Sequence, residues 1–133
     1  MAVFEEMSEN NKKTQEKDQQ KELEKKQKTQ KRRRSEIKKA LIGQLKKNGT
    51  TGKYYVDMVE DYMRLWDTKE NLFTDIEERG VTVEYNNGGG QRGKKQNDSV
   101  ALAVKVGERM TRMLESMGIK PSIVATIEDD DEL

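Results

Sequence analysis

Between Ser8 and Arg34 the run SENNKKTQEKDQQKELEKKQKTQKRRR offers one large aliphatic side chain, Leu23. Ordering a backbone costs roughly 1–2 kcal/mol per residue, and a segment with so little apolar surface cannot offset that by burial. No core forms there. Lys, Gln and Glu are good helix formers, so residues 1–34 are expected to be a basic arm, either disordered, a fraying helix, or a solvated helix continuing from a body behind it.

The pattern changes at Ser35. Ile37, Leu41, Ile42 and Leu45 recur at helical spacing while Lys38, Lys39, Lys46 and Lys47 take other positions, which predicts a short amphipathic helix over about 35–47. Asn48-Gly49-Thr50-Thr51-Gly52 should break it, with a glycine for the turn and the threonines as N-cap candidates. A second helix is expected from about Lys53 to Arg79. Its apolar stripe is Tyr55, Val59, Tyr62, Trp66, Phe73 and Ile76, widened by Met58, Met63, Leu65 and Leu72, with Asp57, Glu60, Asp61, Arg64, Asp67, Asn71 and Asp75 opposite.

Gly80 suits a helix end, and Val81, Val83 and Tyr85 alternate with Thr82 and Glu84 as a strand would. The glycines of NNGGGQRGKKQ, residues 86–96, predict a mobile, weakly basic loop. A final helix should start near Asn97-Asp98-Ser99 and carry Val100, Ala103, Val104, Val106, Met110, Met113, Leu114 and Met117 on a broad apolar face. Gly118-Ile119-Lys120-Pro121 would stop it. The expected fold is mainly α: a short basic helix, then two long antiparallel helices with a short β-strand or hairpin between them. The layout is an arm (1–34), a helical body (35–122) and an acidic tail (123–133).

Charge is distributed unevenly along the chain. Residues 1–47 hold 15 Lys and Arg against 8 Asp and Glu, whereas residues 48–79 hold 4 against 8 and residues 99–133 hold 4 against 7. A basic front half suggests a polyanionic partner. The cluster Lys31, Arg32, Arg33, Arg34, Lys38, Lys39, Lys46 and Lys47 has the chemistry to neutralise phosphates along a nucleic-acid backbone, although charge runs also serve as plain solvated faces. The acidic second helix suits a groove lined with phosphates poorly, so it is expected to be scaffold.

Enzymatic chemistry has little to work with. The chain contains no cysteine and no histidine, which removes disulfides, thiolate ligands and the commonest proton shuttle. Asp57, Glu60 and Asp61 have the spacing of a solvated helix face, with Glu60 placed to pair with Arg64, and that reading outweighs a Mg²⁺ site. Gly88-Gly89-Gly90-Gln91-Arg92-Gly93 lacks the Lys-Ser/Thr ending of a phosphate-binding loop. Neither a metal nor a cofactor is expected. No apolar run reaches the roughly 18–20 residues that span a bilayer. Residues 1–13, MAVFEEMSENNKK, lack the order of a secretory signal, so a soluble, non-secreted protein that does not enter membranes is expected.

A body this small rarely gains more than about 3–5 kcal/mol from its own core without disulfides, metal or oligomerisation. The helices therefore should assemble through Leu65, Trp66, Leu72, Phe73, Ile76, Val106, Met110, Met113 and Leu114.

Tyr55 through Leu72, then Gly80-Val81-Thr82-Val83, then Gln96-Asn97-Asp98-Ser99 opening a helix that closes as Leu114-Glu115-Ser116-Met117-Gly118-Ile119-Lys120-Pro121-Ser122, resemble the small subunits of tailed-bacteriophage terminases. The resemblance covers residues 54–122. It departs from the family pattern at Asp98, where a Pro is usual, and at Ile119-Lys120 before the Pro-Ser. What it implies is a non-enzymatic adaptor that binds viral double-stranded DNA, forms a ring-like homo-oligomer in the host cytoplasm, and presents the DNA to a large subunit carrying the ATPase and nuclease. It also implies that the acidic tail, Glu128, Asp129, Asp130, Asp131 and Glu132, is the place to look for contact with that large subunit. The residues alone leave open a small dimeric DNA-binding transcriptional regulator.

Overall fold

The computed structural model describes residues 2–50 and 52–120. In chain order the elements are α1 (Ala2–Lys47), α2 (Lys53–Arg79), β1 (Thr82–Asn86), β2 (Arg92–Gln96) and α3 (Asp98–Ser116). The chain divides into two units, residues 1–39 and residues 40–133.

In the first unit the arm is helix. The short helix expected to start at Ser35 begins instead at Ala2. Every side chain from Val3 to Thr29 is exposed, so this stretch owes nothing to a core. Helix propensity and backbone hydrogen bonds are enough to define it, because Lys, Gln and Glu lose little rotamer freedom in a helix. Thr14 and Thr29 turn their hydroxyls back onto the carbonyls of Asn10 and Lys25 at 2.9 Å, so these β-branched residues sit in the helix with their donors used.

In the second unit the end of α1 is closed by a two-bond cap. The Gly49 N–H donates to Lys46 O and the Thr50 N–H to Leu45 O, at 3.0 and 2.9 Å, with Gly49 at φ +73°. Such a cap needs a left-handed residue, and glycine takes that conformation without the strain a Cβ brings. The expected threonine cap of α2 does not form: Gly52 occupies the N-cap position and contributes no side-chain hydrogen bond. At the far end of α3 the same closing device recurs, with Gly118 (φ +71°) donating to Glu115 O and Ile119 to Leu114 O, both at 3.0 Å.

The core lies where α3 packs back along α2. Val59, Tyr62, Met63 and Trp66 recur at i, i+3, i+4 and i+7 and are buried, as are Ala103, Met110 and Met117; Leu41 and Leu45 are buried as well. Full burial of an aliphatic or aromatic side chain contributes roughly 1.5–3 kcal/mol, so the core depends on a few residues. Phe73, expected on the buried stripe, is 47% exposed, and Met63, expected only to widen it, is fully buried.

Between the long helices stands a two-stranded antiparallel hairpin in which Val83 pairs with Lys95, Glu84 with Lys94 and Tyr85 with Gly93. The second strand falls inside the stretch expected to be a mobile loop. Its sequence RGKKQ has no apolar residue, so it lacks the alternation by which a strand announces itself. Two features make the hairpin possible. Gly88, Gly89 and Gly90 all hold positive φ, a run that side chains would strain, and the Asn86 carboxamide oxygen accepts from the Gly88 N–H at 3.0 Å. On the strands, the Tyr85 ring lies over Gly93 so closely that a Cβ there would come within 2.6 Å of the phenol oxygen.

Candidate nucleic-acid interface and assembly surface

A helix turns about 100° per residue, and on that wheel Lys21, Lys25, Lys28, Arg32 and Lys39 of the first unit fall within a sector of about 60°. All five are exposed. The acidic neighbours Glu22, Glu24 and Glu36 project outside the sector, so the stripe holds one sign of charge over the roughly 27 Å that 18 residues of helix rise. Among the cations singled out from sequence in this unit, Lys31, Arg32, Arg33 and Lys39 are exposed while Arg34 and Lys38 are half-buried. Lys46 and Lys47, both exposed, belong to the second unit.

Sequence reasoning missed Lys21, Lys25 and Lys28. Their signal was the spacing of seven from Lys25 to Arg32 to Lys39, which has meaning only once the arm is helix.

The expected assembly residues separate into two groups. Trp66 and Met110 are each only 3% exposed, so neither can meet a second copy of the chain unless the core opens. Leu65, Leu72, Ile76, Val106, Met113 and Leu114 are half-buried and Phe73 is exposed, which leaves these seven with surface to offer. Beyond them Leu102 and Val104 on α3 are also exposed, 48% and 57%.

What orients the two long helices is a polar latch at the base of the hairpin. Asn97 is fully buried and uses its whole carboxamide. Its oxygen accepts from the Ser99 N–H at 3.0 Å, capping α3, and from Arg79 Nη2 at 3.1 Å; its nitrogen donates to Gly80 O at 2.9 Å and to Asp75 Oδ2 at 3.2 Å. Asp75 also accepts from Nε and Nη2 along one edge of the Arg79 guanidinium, at 2.7 and 2.8 Å, and from the Ser99 hydroxyl at 2.6 Å. The Arg79 hydrogen bonds, then that from Ser99, hold the Asp75 carboxyl well below the usual carboxylate range against the opposing effect of burial. This network joins the end of α2 to the start of α3 and leaves the hairpin to project from it. The sequence points to the cap but not to Asp75, whose spacing puts it on the face opposite the apolar stripe.

The acidic residues considered for a cation do not converge. Arg64 Nη1 sits 3.6 Å from Asp61 Oδ1 in a pair that is largely exposed, and among the described residues no group of three carboxylates is placed to hold a metal ion. Among the described residues, too, no helix is long and apolar enough to cross a membrane.

Comparison with known families gives a match to "Phage terminase, small subunit" over residues 35–131, most of the chain. The chain belongs to the phage terminase small subunits. Neither a curated protein nor a solved structure matches it. In this terminase small subunit the matched region starts at Ser35, where the composition changes, and takes in Lys38, Lys39, Lys46, Lys47, both long helices and the hairpin. Lys21 to Arg34 precede it. The tail of the small subunit, with Glu128, Asp129, Asp130, Asp131 and Glu132, lies outside the described residues.

Proposed function

We propose that this small subunit binds viral double-stranded DNA through the cationic stripe of α1, assembles through the apolar surface of α2 and α3 into a homo-oligomeric ring, and presents the DNA to the terminase large subunit in the host cytoplasm. It performs no chemistry itself; the ATPase and nuclease reside in the large subunit. Family membership supports a packaging role, and the observation that carries the DNA reading is the carboxylate-free sector of Lys21, Lys25, Lys28, Arg32 and Lys39. Lys31, Arg33, Arg34 and Lys38 add to the positive charge of the same unit, and Lys46 and Lys47 supply further cations on the second. Such contacts position a protein on DNA without reading its sequence, so discrimination must come from DNA shape or from several arms acting together on one oligomer.

Assembly is supported by Leu65, Leu72, Phe73, Ile76, Val106, Met113 and Leu114, whose apolar surface the protomer leaves partly open. In this reading the large subunit is met by the tail residues Glu128 to Glu132.

The deciding experiment is duplex DNA binding by fluorescence anisotropy across a range of salt. Log K should fall against log salt by about 0.9 for each phosphate contacted. Changing Lys21, Lys25, Lys28, Arg32 and Lys39 together to Gln should weaken binding to all sequences and flatten that slope by several units of contact. An unchanged slope would mean that DNA is held elsewhere.

A further inference from the structure

Where the end of α1 meets the start of α2, the second unit contains an open apolar groove of about 120 Å³. Its floor is Leu45 and Val59, both nearly fully buried, and its walls include Ile42, Tyr55 and Val56, the last 54% exposed. A cavity of about 150 Å³ accepts benzene, so this one has room for a branched aliphatic side chain. Its rim is positive. Lys46 borders it, and Lys47 and Lys53 are exposed on the two flanking helix ends. The first turn of α2 carries no acidic residue and its N-cap offers no side-chain acceptor, so the positive end of that helix adds to the same field.

One segment of the chain has the complementary chemistry in the right order. Beyond Lys120 the sequence continues Pro-Ser-Ile-Val-Ala-Thr-Ile and then Glu-Asp-Asp-Asp-Glu, an apolar stretch followed at once by five carboxylates. It also leaves the body at the right end. The Ser99 hydroxyl bonds Asp75, so α3 starts level with Asp75 and runs back along α2; its 19 residues rise about 28 Å and return the chain to the level of Asp57, one residue from Val56. From Lys120, seven residues of extended chain reach about 23 Å, twice the width of a helix.

We propose that the C-terminal segment of this same chain docks in the groove, with Ile127 seated between Ile42, Tyr55 and Val56 and Glu128 to Glu132 lying against Lys46, Lys47 and Lys53. Docked, the tail covers an apolar groove and withdraws Lys46 and Lys47 from phosphate. That last consequence rests on the DNA reading above; the docking itself does not.

The chain has no cysteine, which allows a test on the full-length protein. Val56→Cys combined with Ile127→Cys is oxidised under mild conditions and compared with Tyr54→Cys combined with Ile127→Cys. Tyr54 is an exposed site outside the groove, two residues away on the same helix and so about 160° around it, equally near the point where the tail leaves the body. A disulfide needs its Cα atoms within about 7 Å, so a docked tail should give an intrachain bond at least ten-fold faster at Val56 than at Tyr54. Changing the five tail carboxylates to Asn and Gln, or raising salt, should slow the Val56 reaction several-fold. Equal rates at the two positions would overturn the proposal, and so would a disulfide-linked dimer, which would assign the groove to the tail of a second copy. DNA binding plays no part in this readout. If docking holds, removal of residues 122–133 should strengthen DNA binding at low salt; if the tail crosslinks but its removal leaves DNA affinity unchanged, docking stands and the DNA reading of Lys46 and Lys47 fails.

Discussion

Replacing Asn97 by Ala should be the most damaging single truncation outside the apolar core. The side chain is fully buried and makes four hydrogen bonds, to the Ser99 N–H, Arg79 Nη2, Gly80 O and Asp75 Oδ2. Loss of an Asn N-cap costs about 1 kcal/mol. Leaving a buried polar partner unsatisfied costs about 1–3 kcal/mol, and here Gly80 O loses its Asn97 donor while no side chain replaces the carboxamide. Because the bonds form one network the costs do not add, and about 3 kcal/mol is the expected total. For a domain of 60–100 residues each kcal/mol moves Tm by roughly 4–8 °C, so a fall of about 12–24 °C is expected. Trp66, the single tryptophan and 3% exposed, reports unfolding of the second unit by fluorescence. Asn97→Ser keeps a cap acceptor but cannot reach Gly80 O and Asp75 together, so it should fall between wild type and Ala. A loss below about 1 kcal/mol for Asn97→Ala would refute the latch as the joint that orients α3 on α2. Equal losses for Ser and Ala would assign the effect to the bonds with Asp75 and Gly80 and none of it to the cap.

Further outcomes are expected from the same structure. Asp75 has a folded-state pKa below its unfolded value, so its contribution is present above the ordinary carboxylate pKa near about 3.9 and is lost as pH falls from there. Thermal melts should show wild type and Asp75→Asn converging in stability as pH drops from about 5 towards 2, and a constant gap would contradict the linkage. Gly49→Ala forces a Cβ into a left-handed residue and should cost about 1–2 kcal/mol in urea unfolding, whereas Gly43→Ala, inside the helix with open space around it, should gain about 0.5–1 kcal/mol. Leu72→Asp with Met113→Asp should reduce the mass measured by light scattering, since both side chains retain surface outside the protomer core; an unchanged mass would place the assembly interface elsewhere.

Much of the second unit was legible in the residues. Helix bounds at Lys53–Arg79 and Asp98–Ser116 follow from glycines and a capping Asn set around long apolar periodicities, signals that are local and survive without knowledge of the fold. The hairpin was half legible: Val83 and Tyr85 alternate, but their partners are Lys95 and Gly93, which carry no pattern of their own. The cationic stripe was obscured for a related reason. Lys21, Lys25 and Lys28 look like any charges in a solvated arm until the arm is a helix, when seven-residue spacing brings them onto one face with Arg32 and Lys39.

By itself the sequence determined the class of molecule: no histidine or cysteine chemistry, a basic front, two amphipathic helices and the order of features that marks a terminase small subunit. Only the tertiary structure decided which apolar residues are buried in the chain's own core. Trp66 and Met110 turn inward and Phe73 turns outward because α3 covers just one side of α2, and a periodicity shows that a face is apolar without showing what lies against it. The same holds for Asp75. Its place on the polar face of a helix was plain from spacing, but its role in the latch depends on Asn97 and Ser99, more than twenty residues away, and on a hairpin that brings them back.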